Sequence, residues 1–150
     1  MMTATSQKHV LIVDDNPGDI ALCRQVLEGV PDITVKTAHN VMQAHAFLGR
    51  LPPFTGVPAP DLILLDLRMP MLPGTNVIPL VRRDPAMSQV RIVVFTSSSL
   101  DSDRAQCDAL GADDYVVKPS DWVQWKTTIT DTLRRHGLLG QDKGPGVMGR

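Results

Sequence analysis

A chain of 150 residues is long enough for one domain with one sizeable core. Apolar residues make up 43% and charged residues 21%, an ordinary globular mix, and a formal net charge of −1 offers no basic excess to attract nucleic acid or a membrane surface. No apolar run approaches a membrane span, Met1 to Lys8 has no apolar signal core, and Cys23 and Cys107 lie outside any CxxC pair, so reduced thiols and a cytoplasmic setting are expected.

The first apolar run, Val10-Leu11-Ile12-Val13, is short and bounded by polar residues, the pattern of a strand buried on both faces. Asp14 and Asp15 follow it. Asn16 then Pro17 reads as a helix cap with proline at the first helical position. That helix carries Ile20, Cys23 and Leu27 on one side and stops near Gly29 and Pro31. Residues Ile33 to Ala38 alternate, as an edge strand with one wetter face does. Asn40 caps a second helix bearing Val41, Ala44, Phe47 and Leu48. Leu51 to Pro60 is a proline-rich loop. Leu62-Ile63-Leu64-Leu65 is the next buried run, and Asp66 follows it. A third helix starts near Thr75 or Asn76, which leaves Pro79 in its first turn, where a missing N–H is tolerated. Ile92-Val93-Val94-Phe95 leads to Thr96, and a fourth helix runs from about Asp101 to Leu110 with Gly111 as its stop. Asp113 and Asp114 fall in the loop before Tyr115-Val116-Val117, after which come Lys118 and Pro119. The last helix is capped by Ser120 and Asp121 and reaches His136. Residues 137–150 are glycine-rich and read as a mobile tail, too short for an output domain.

A β-α unit thus occurs five times, and right-handed crossovers lay such helices on both faces of one parallel sheet, an α/β doubly wound architecture. In open sheets of this kind ligands bind beyond the carboxyl ends of the strands. Asp14, Asp15, Asp66, Thr96 and Lys118 all fall there. Three carboxylates so placed repel one another, and one lysine cannot balance them. A hard divalent cation such as Mg²⁺ would, and the same parts suit phosphoryl transfer, where a carboxylate can act as nucleophile. Taken singly, each motif has an ordinary reading: a turn and cap for Asp14 to Pro17, a strand end for Asp66, a solvated loop for Thr96 to Ser99, a turn for Lys118-Pro119.

Together, Val13-Asp14-Asp15-Asn16, Leu65-Asp66-Leu67-Arg68-Met69-Pro70 with Gly74, Phe95-Thr96-Ser97 and Tyr115-Val116-Val117-Lys118-Pro119 resemble the receiver domain of bacterial response regulators, over residues 8 to 136. The resemblance implies a flavodoxin-like (βα)5 fold with five parallel strands in the order 2-1-3-4-5. It implies Asp66 as phosphoacceptor and a Mg²⁺ ion, with Mn²⁺ as a substitute, bound by Asp15, Asp66 and the backbone carbonyl of Arg68, with Asp14 acting through water. Thr96 and Lys118 would bind phosphoryl oxygens, and Tyr115 would turn inward when the threonine moves. Ser97 is small and would leave the acceptor accessible. The Lys118–Pro119 bond would be cis. The partner implied is a sensor histidine kinase, and the output is a reshaped surface of the fourth helix, last strand and last helix, or phosphorelay, rather than enzyme turnover. The long loop before the third strand and the layout as a whole are similar to single-domain regulators that pair with bacterial phytochrome kinases. A flavodoxin-like redox module fits less well, because Asp14 and Asp15 repel phosphate unless a metal intervenes. A dehalogenase-type phosphatase would show a DxD pattern that is missing.

Arg68 is bulkier and more basic than the residue many relatives carry two places past the acceptor, and it is expected to alter the phosphoryl lifetime. Trp122, Trp125, Ile129 and Leu133 recur at three- and four-residue spacings on the last helix. Most of that stripe must pack on the sheet, and part of it, with the last strand, is expected to form a symmetric homodimer. His9, His39, His45 and His136 lack ligand spacing and read as surface or packing residues.

Overall fold

The computed structural model describes residues 7–140. Five parallel strands form one sheet in the order β2-β1-β3-β4-β5: β1 (Lys8–Val13), β2 (Ile33–Ala38), β3 (Leu62–Leu65), β4 (Arg91–Thr96) and β5 (Asp114–Val117). Between them run α1 (Pro17–Glu28), α2 (Val41–Leu48), α3 (Val77–Arg82), α4 (Asp101–Leu110) and, last, α5 (Trp122–Arg135). This is the expected doubly wound order.

The unbroken apolar runs have a direct cause. Alternate residues of each inner strand feed two separate cores. Leu11, Val13, Ile63, Leu65, Ile92 and Val94 pack with α2, α3 and Cys107 of α4. Val10, Ile12, Leu62, Leu64, Val93 and Phe95 pack with Ile20, Cys23 and Leu27 of α1 and with α5. Both faces are covered, so no position on these strands can be polar without burial. β2 pairs with β1 alone and is mostly half-buried, as its alternation foretells. Cys23 and Cys107 are buried free thiols, and burial pushes the Cys23 thiol up to about 12.

Helix starts follow the caps. Asn16 Oδ1 accepts from the backbone N–H of Gly18 at 2.9 Å and of Asp19 at 3.1 Å. Asn40 does the same for Gln43, and Asp121, not Ser120, for Gln124. The third helix begins close to the expected place: a single 3-10 turn, Gly74–Asn76, leads into α3 at Val77, and the Asn76 side-chain N–H donates to the Pro73 carbonyl at 3.0 Å. Asp114 opens β5 instead of ending the loop; its carboxylate ties Arg135 at 2.7 Å and His136 at 2.9 Å.

The cis peptide bond in the described residues joins Pro52 and Pro53 in the loop before β3. Lys118–Pro119, expected to be cis, is instead trans, the lower-energy isomer of an X–Pro bond. The boundary placed at Gly137 also moves. Gly137 adopts φ +80°, and the chain turns back so that the N–H groups of Leu138 and Leu139 both reach the Leu133 carbonyl. Both leucines pack on the core beside α1 and α5. The rest of the expected tail, 141–150, lies outside the described residues. Among the described residues no helix is long and apolar enough to cross a membrane.

The aromatic stripe of α5 is mostly core. Trp125, Ile129 and Leu133 are 4%, 1% and 0% exposed, and the Trp125 ring meets Phe95 edge-on at 5.0 Å. These three cannot serve a dimer interface, because the sheet needs them as its cover. That face leaves Trp122 and Val123, with Val117 at the end of β5, for any second copy. Trp125→Ala should therefore lower the unfolding free energy by about 3–5 kcal/mol in urea titrations. Trp122→Ala should shift it by roughly 0.5 kcal/mol. Equal losses from the two would contradict this division.

Candidate functional site

The backbone carries the site. Asp14 and Asp66 are the residues just past β1 and β3, and the parallel ladder continues through them: Asp14 N–H donates to the Ala38 carbonyl at 3.0 Å and Asp66 N–H to the Val13 carbonyl at 2.9 Å. Thr96 ends β4 and accepts the N–H of Lys118 on its carbonyl at 2.7 Å. Four adjacent strand ends thus deliver their side chains to one rim.

Lys118 Nζ sits at the centre. It donates to Asp14 Oδ2 at 2.8 Å, Asp19 Oδ2 at 2.7 Å and Asp66 Oδ2 at 3.2 Å, with its side chain only 7% exposed. Burial works against its charge, but the hydrogen bonds to Asp14 and Asp19 and the fields of Asp66 and Asp14 outweigh that and raise its pKa above the ordinary lysine value. Burial likewise pushes Asp14 up, against the opposing pull of Lys118 and the Asn16 N–H. Both Asp14 oxygens are occupied, Oδ1 by Asn16 N–H at 2.9 Å and Oδ2 by Lys118. Asp66 Oδ1 accepts from Leu67 N–H at 2.8 Å. Asp15 is exposed, and among the described residues no protein donor reaches its carboxylate.

Asp14, Asp15 and Asp66 each bring one oxygen within 4.8 Å of the others. At an effective dielectric near 20, a pair of like charges at such a separation costs on the order of 3 kcal/mol. With Asp19 the rim holds four carboxylates against one ammonium, an imbalance that a hard divalent cation would relieve, and the all-oxygen donor set fits one. Asp15 is the carboxylate with neither oxygen engaged by a protein donor among the described residues, whereas Asp14 and Asp66 each share both oxygens with a backbone N–H and with Lys118.

The remaining expected residues divide. Thr96 is fully buried, its Oγ accepts a long 3.4 Å contact from Ser98 N–H, and among the described residues its hydroxyl proton has no acceptor. Such a donor is available to water or to a ligand oxygen. Ser97 is exposed, and among the described residues its side chain makes no hydrogen bond to the cluster. Tyr115 points inward: it is 9% exposed, its hydroxyl donates to the Ser98 carbonyl at 2.9 Å, and the Arg104 guanidinium lies 4.6 Å above its ring. The Arg68 side chain leaves the rim and pairs with Asp103 of α4 at 3.1 Å. Gly74 closes the acceptor loop from beneath. Its N–H donates to the Leu67 carbonyl at 2.8 Å, and a Cβ there would lie 1.9 Å from the Asp66 carbonyl oxygen, so no larger residue fits.

Sequence reasoning missed Asp19. The available signal was spacing: Asp19 stands in the first turn of α1, and its N–H bonds the same Asn16 cap that positions that turn beside Asp14.

Comparison with known proteins places the fold in a family. A family model for the response regulator receiver domain matches residues 10–130. The dual master transcriptional regulator RpaA of Synechocystis is 31% identical over 133 residues, 89% of this chain and 52% of RpaA. The chain spans about half the length of RpaA and of several other curated regulators. Response regulator Rcp1 of Synechocystis is 30% identical over 112 residues, 74% of this chain and 76% of Rcp1. The crystal structure of its Mn²⁺-bound form superposes with a TM-score of 0.78 at 26% identity, covering 84% of this chain and 91% of that one. The phosphorylated cyanobacterial phytochrome response regulator RcpA gives a TM-score of 0.81 at 27% identity, covering 85% and 92%.

Because the Asp14 carboxylate is disfavoured by burial, its raised pKa makes it most favourable to folding when protonated. That contribution is fully present below the unfolded value of 3.8 and is lost as pH rises through the folded value. In chelator, Asp14→Asn should raise the thermal midpoint by a few degrees at neutral pH and leave it unchanged in strong acid. A variant less stable than wild type at neutral pH would mean that the Lys118 attraction outweighs burial.

Proposed function

Since the chain belongs to the response regulator receiver domain family, we propose that it accepts a phosphoryl group on Asp66 from a sensor histidine kinase and signals through the shape change that follows. The observation that carries this reading is the Lys118 ammonium 3.2 Å from Asp66 Oδ2, with the unpaired Thr96 hydroxyl on the neighbouring strand end.

In the transfer an Asp66 carboxylate oxygen attacks phosphorus. The P–N bond to the kinase imidazole breaks, and the departing ring nitrogen takes up a proton. The product is an acyl phosphate, which water later cleaves to inorganic phosphate and the free carboxylate. Lys118, shared at rest among Asp14, Asp19 and Asp66, gains a more strongly charged acceptor once a phosphoryl group is present. Thr96 gains the acceptor it lacks. Asp15 and Asp66, with the Arg68 backbone carbonyl and with Asp14 through water, would hold the Mg²⁺ ion. A divalent ion there supplies charge neutralisation of the phosphoryl oxygens during transfer.

The inward Tyr115 ties this chemistry to the far surface. Its hydroxyl bonds the Ser98 carbonyl, two residues past Thr96, so a shift of Thr96 toward phosphate pulls on the loop that Tyr115 holds. α4 and β5 meet that loop through Asp103 and Tyr115, and with α5 they form the proposed output face. A phytochrome-type kinase is the proposed donor, supported by the likeness to Rcp1 and RcpA, and a cytoplasmic site of action goes with it.

With acetyl phosphate and Mg²⁺, intact mass should show a gain of one phosphoryl group that Asp66→Asn abolishes. Lys118→Ala should slow the gain by about 10²-fold or more, as loss of a charge-stabilising donor does elsewhere. An Asp66→Asn chain that gains mass like wild type would place the acceptor elsewhere. Transfer from a phosphorylated phytochrome kinase faster than from unrelated kinases checks the partner.

A further inference from the structure

The Arg68 guanidinium forms a bridge that the phosphoryl chemistry above leaves unused. Arg68 stands two residues past the acceptor, yet its Nη2 reaches Asp103 Oδ2, 35 residues on and in the first turn of α4. The same Asp103 oxygen accepts the Ser98 hydroxyl. Ser98 is a junction. Its hydroxyl also receives the Leu100 N–H at 3.3 Å, its carbonyl receives the Tyr115 hydroxyl, and its N–H touches Thr96 Oγ. One ion pair therefore connects the acceptor loop to the segment that holds both Thr96 and Tyr115. The Ser98 bond, then the Arg68 bond, hold Asp103 below the usual carboxylate range. The Arg68 side chain is 64% exposed, so packing does not fix it, and exposed ion pairs are weak.

We propose that Arg68 exchanges partners when Asp66 is phosphorylated, leaving Asp103 for the phosphoryl oxygens and so loosening Ser98 and the start of α4. This rests on Asp66 being the phosphoacceptor and adds a second route, beside Thr96, from the phosphoryl group to the output face. The driving force is charge. A phosphoryl group carries about −1.5 to −2 and three acceptor oxygens. It therefore outbids a single carboxylate for a guanidinium, whose fork matches phosphate geometry. Once there, Arg68 covers the phosphorus against water and lengthens the life of the acyl phosphate. Asp103 acts only through Arg68, as a positioning residue that holds it back.

Two variants that break the same ion pair should then act in opposite directions. After removal of phosphodonor, Asp103→Asn should slow acyl-phosphate decay by about threefold to tenfold, and Arg68→Ala should speed it by a similar factor. The double variant should decay like Arg68→Ala alone, because without the guanidinium Asp103 has nothing to restrain. Tyr115 is the only tyrosine in the chain, so fluorotyrosine gives one ¹⁹F resonance that reports the Ser98 junction. With no phosphodonor, both single variants should move that resonance toward its position in wild type bound to Mg²⁺ and beryllofluoride. Lifetimes that change in the same direction, or remain at the wild-type value, overturn the exchange. So does an unmoved resonance in both variants. A wild-type chain that gains no phosphoryl group overturns the phosphoacceptor reading and this one together, whereas normal phosphorylation with equal lifetimes overturns this one alone.

Discussion

The shared ammonium of Lys118 is the constraint around which the rim is arranged. Parallel pairing sets the ends of β1 and β3 side by side, and with them the two buried carboxylates of Asp14 and Asp66. Without a cation between them, the ladder would bring like charges together in a poorly solvated place. Lys118 arrives from β5, two strands beyond β3, and its reach across the top of Thr96 lets one charge serve Asp14, Asp19 and Asp66. The balance is incomplete, and the shortfall creates affinity for further positive charge. The cluster is held together enough to fold and left acidic enough to bind.

Much of this was legible in the amino-acid sequence because two independent signals coincide. A four-residue apolar run covered on both faces can end only where the chain leaves the sheet, so the polar residue just beyond marks the rim. Asp14, Asp66 and Thr96 are legible that way; Lys118 follows a shorter run on the half-covered edge strand β5, and its place is legible because it completes the set. The N-caps Asn16, Asn40 and Asp121 were equally readable, since their side chains act on neighbours two or three residues away. Contacts between distant segments were not readable. Asp19 lies on a helix whose rotation against the sheet sets its reach. The Arg68–Asp103 pair spans a crossover. The α5 stripe was ambiguous because a tryptophan at helical spacing fits a core and an interface alike; only the seat of Trp125 against Phe95 decides it. The turn at Gly137 that carries Leu138 and Leu139 onto the core left no mark beyond the glycine itself.

The junction at Ser98 shows how a small domain can link a local charge to a distant face. Three segments meet there through hydrogen bonds and not through packed hydrocarbon: the end of β4, the first turn of α4 and the side chain of Tyr115. Hydrogen bonds of this sort can be exchanged singly, whereas the two cores on either side of the sheet cannot shift without loss of packing. An exchange of partners at Ser98 would thus be confined to a polar seam beside the two packed cores, and Arg104 stacked on Tyr115 borders that seam on the outside.

The proline-rich stretch from Leu51 to Pro60 enters β3 at its amino end, on the opposite edge of the sheet from the carboxylates. Its cost in chain entropy grows only slowly with length. The architecture therefore separates two kinds of tolerance. At one pole the backbone closes on itself down to the hydrogen-sized space at Gly74; at the other, Phe54, Val57 and Ala59 rest on the core while the glycine and proline between them face solvent, so a change confined to those exposed positions lies a full strand length from the carboxylates.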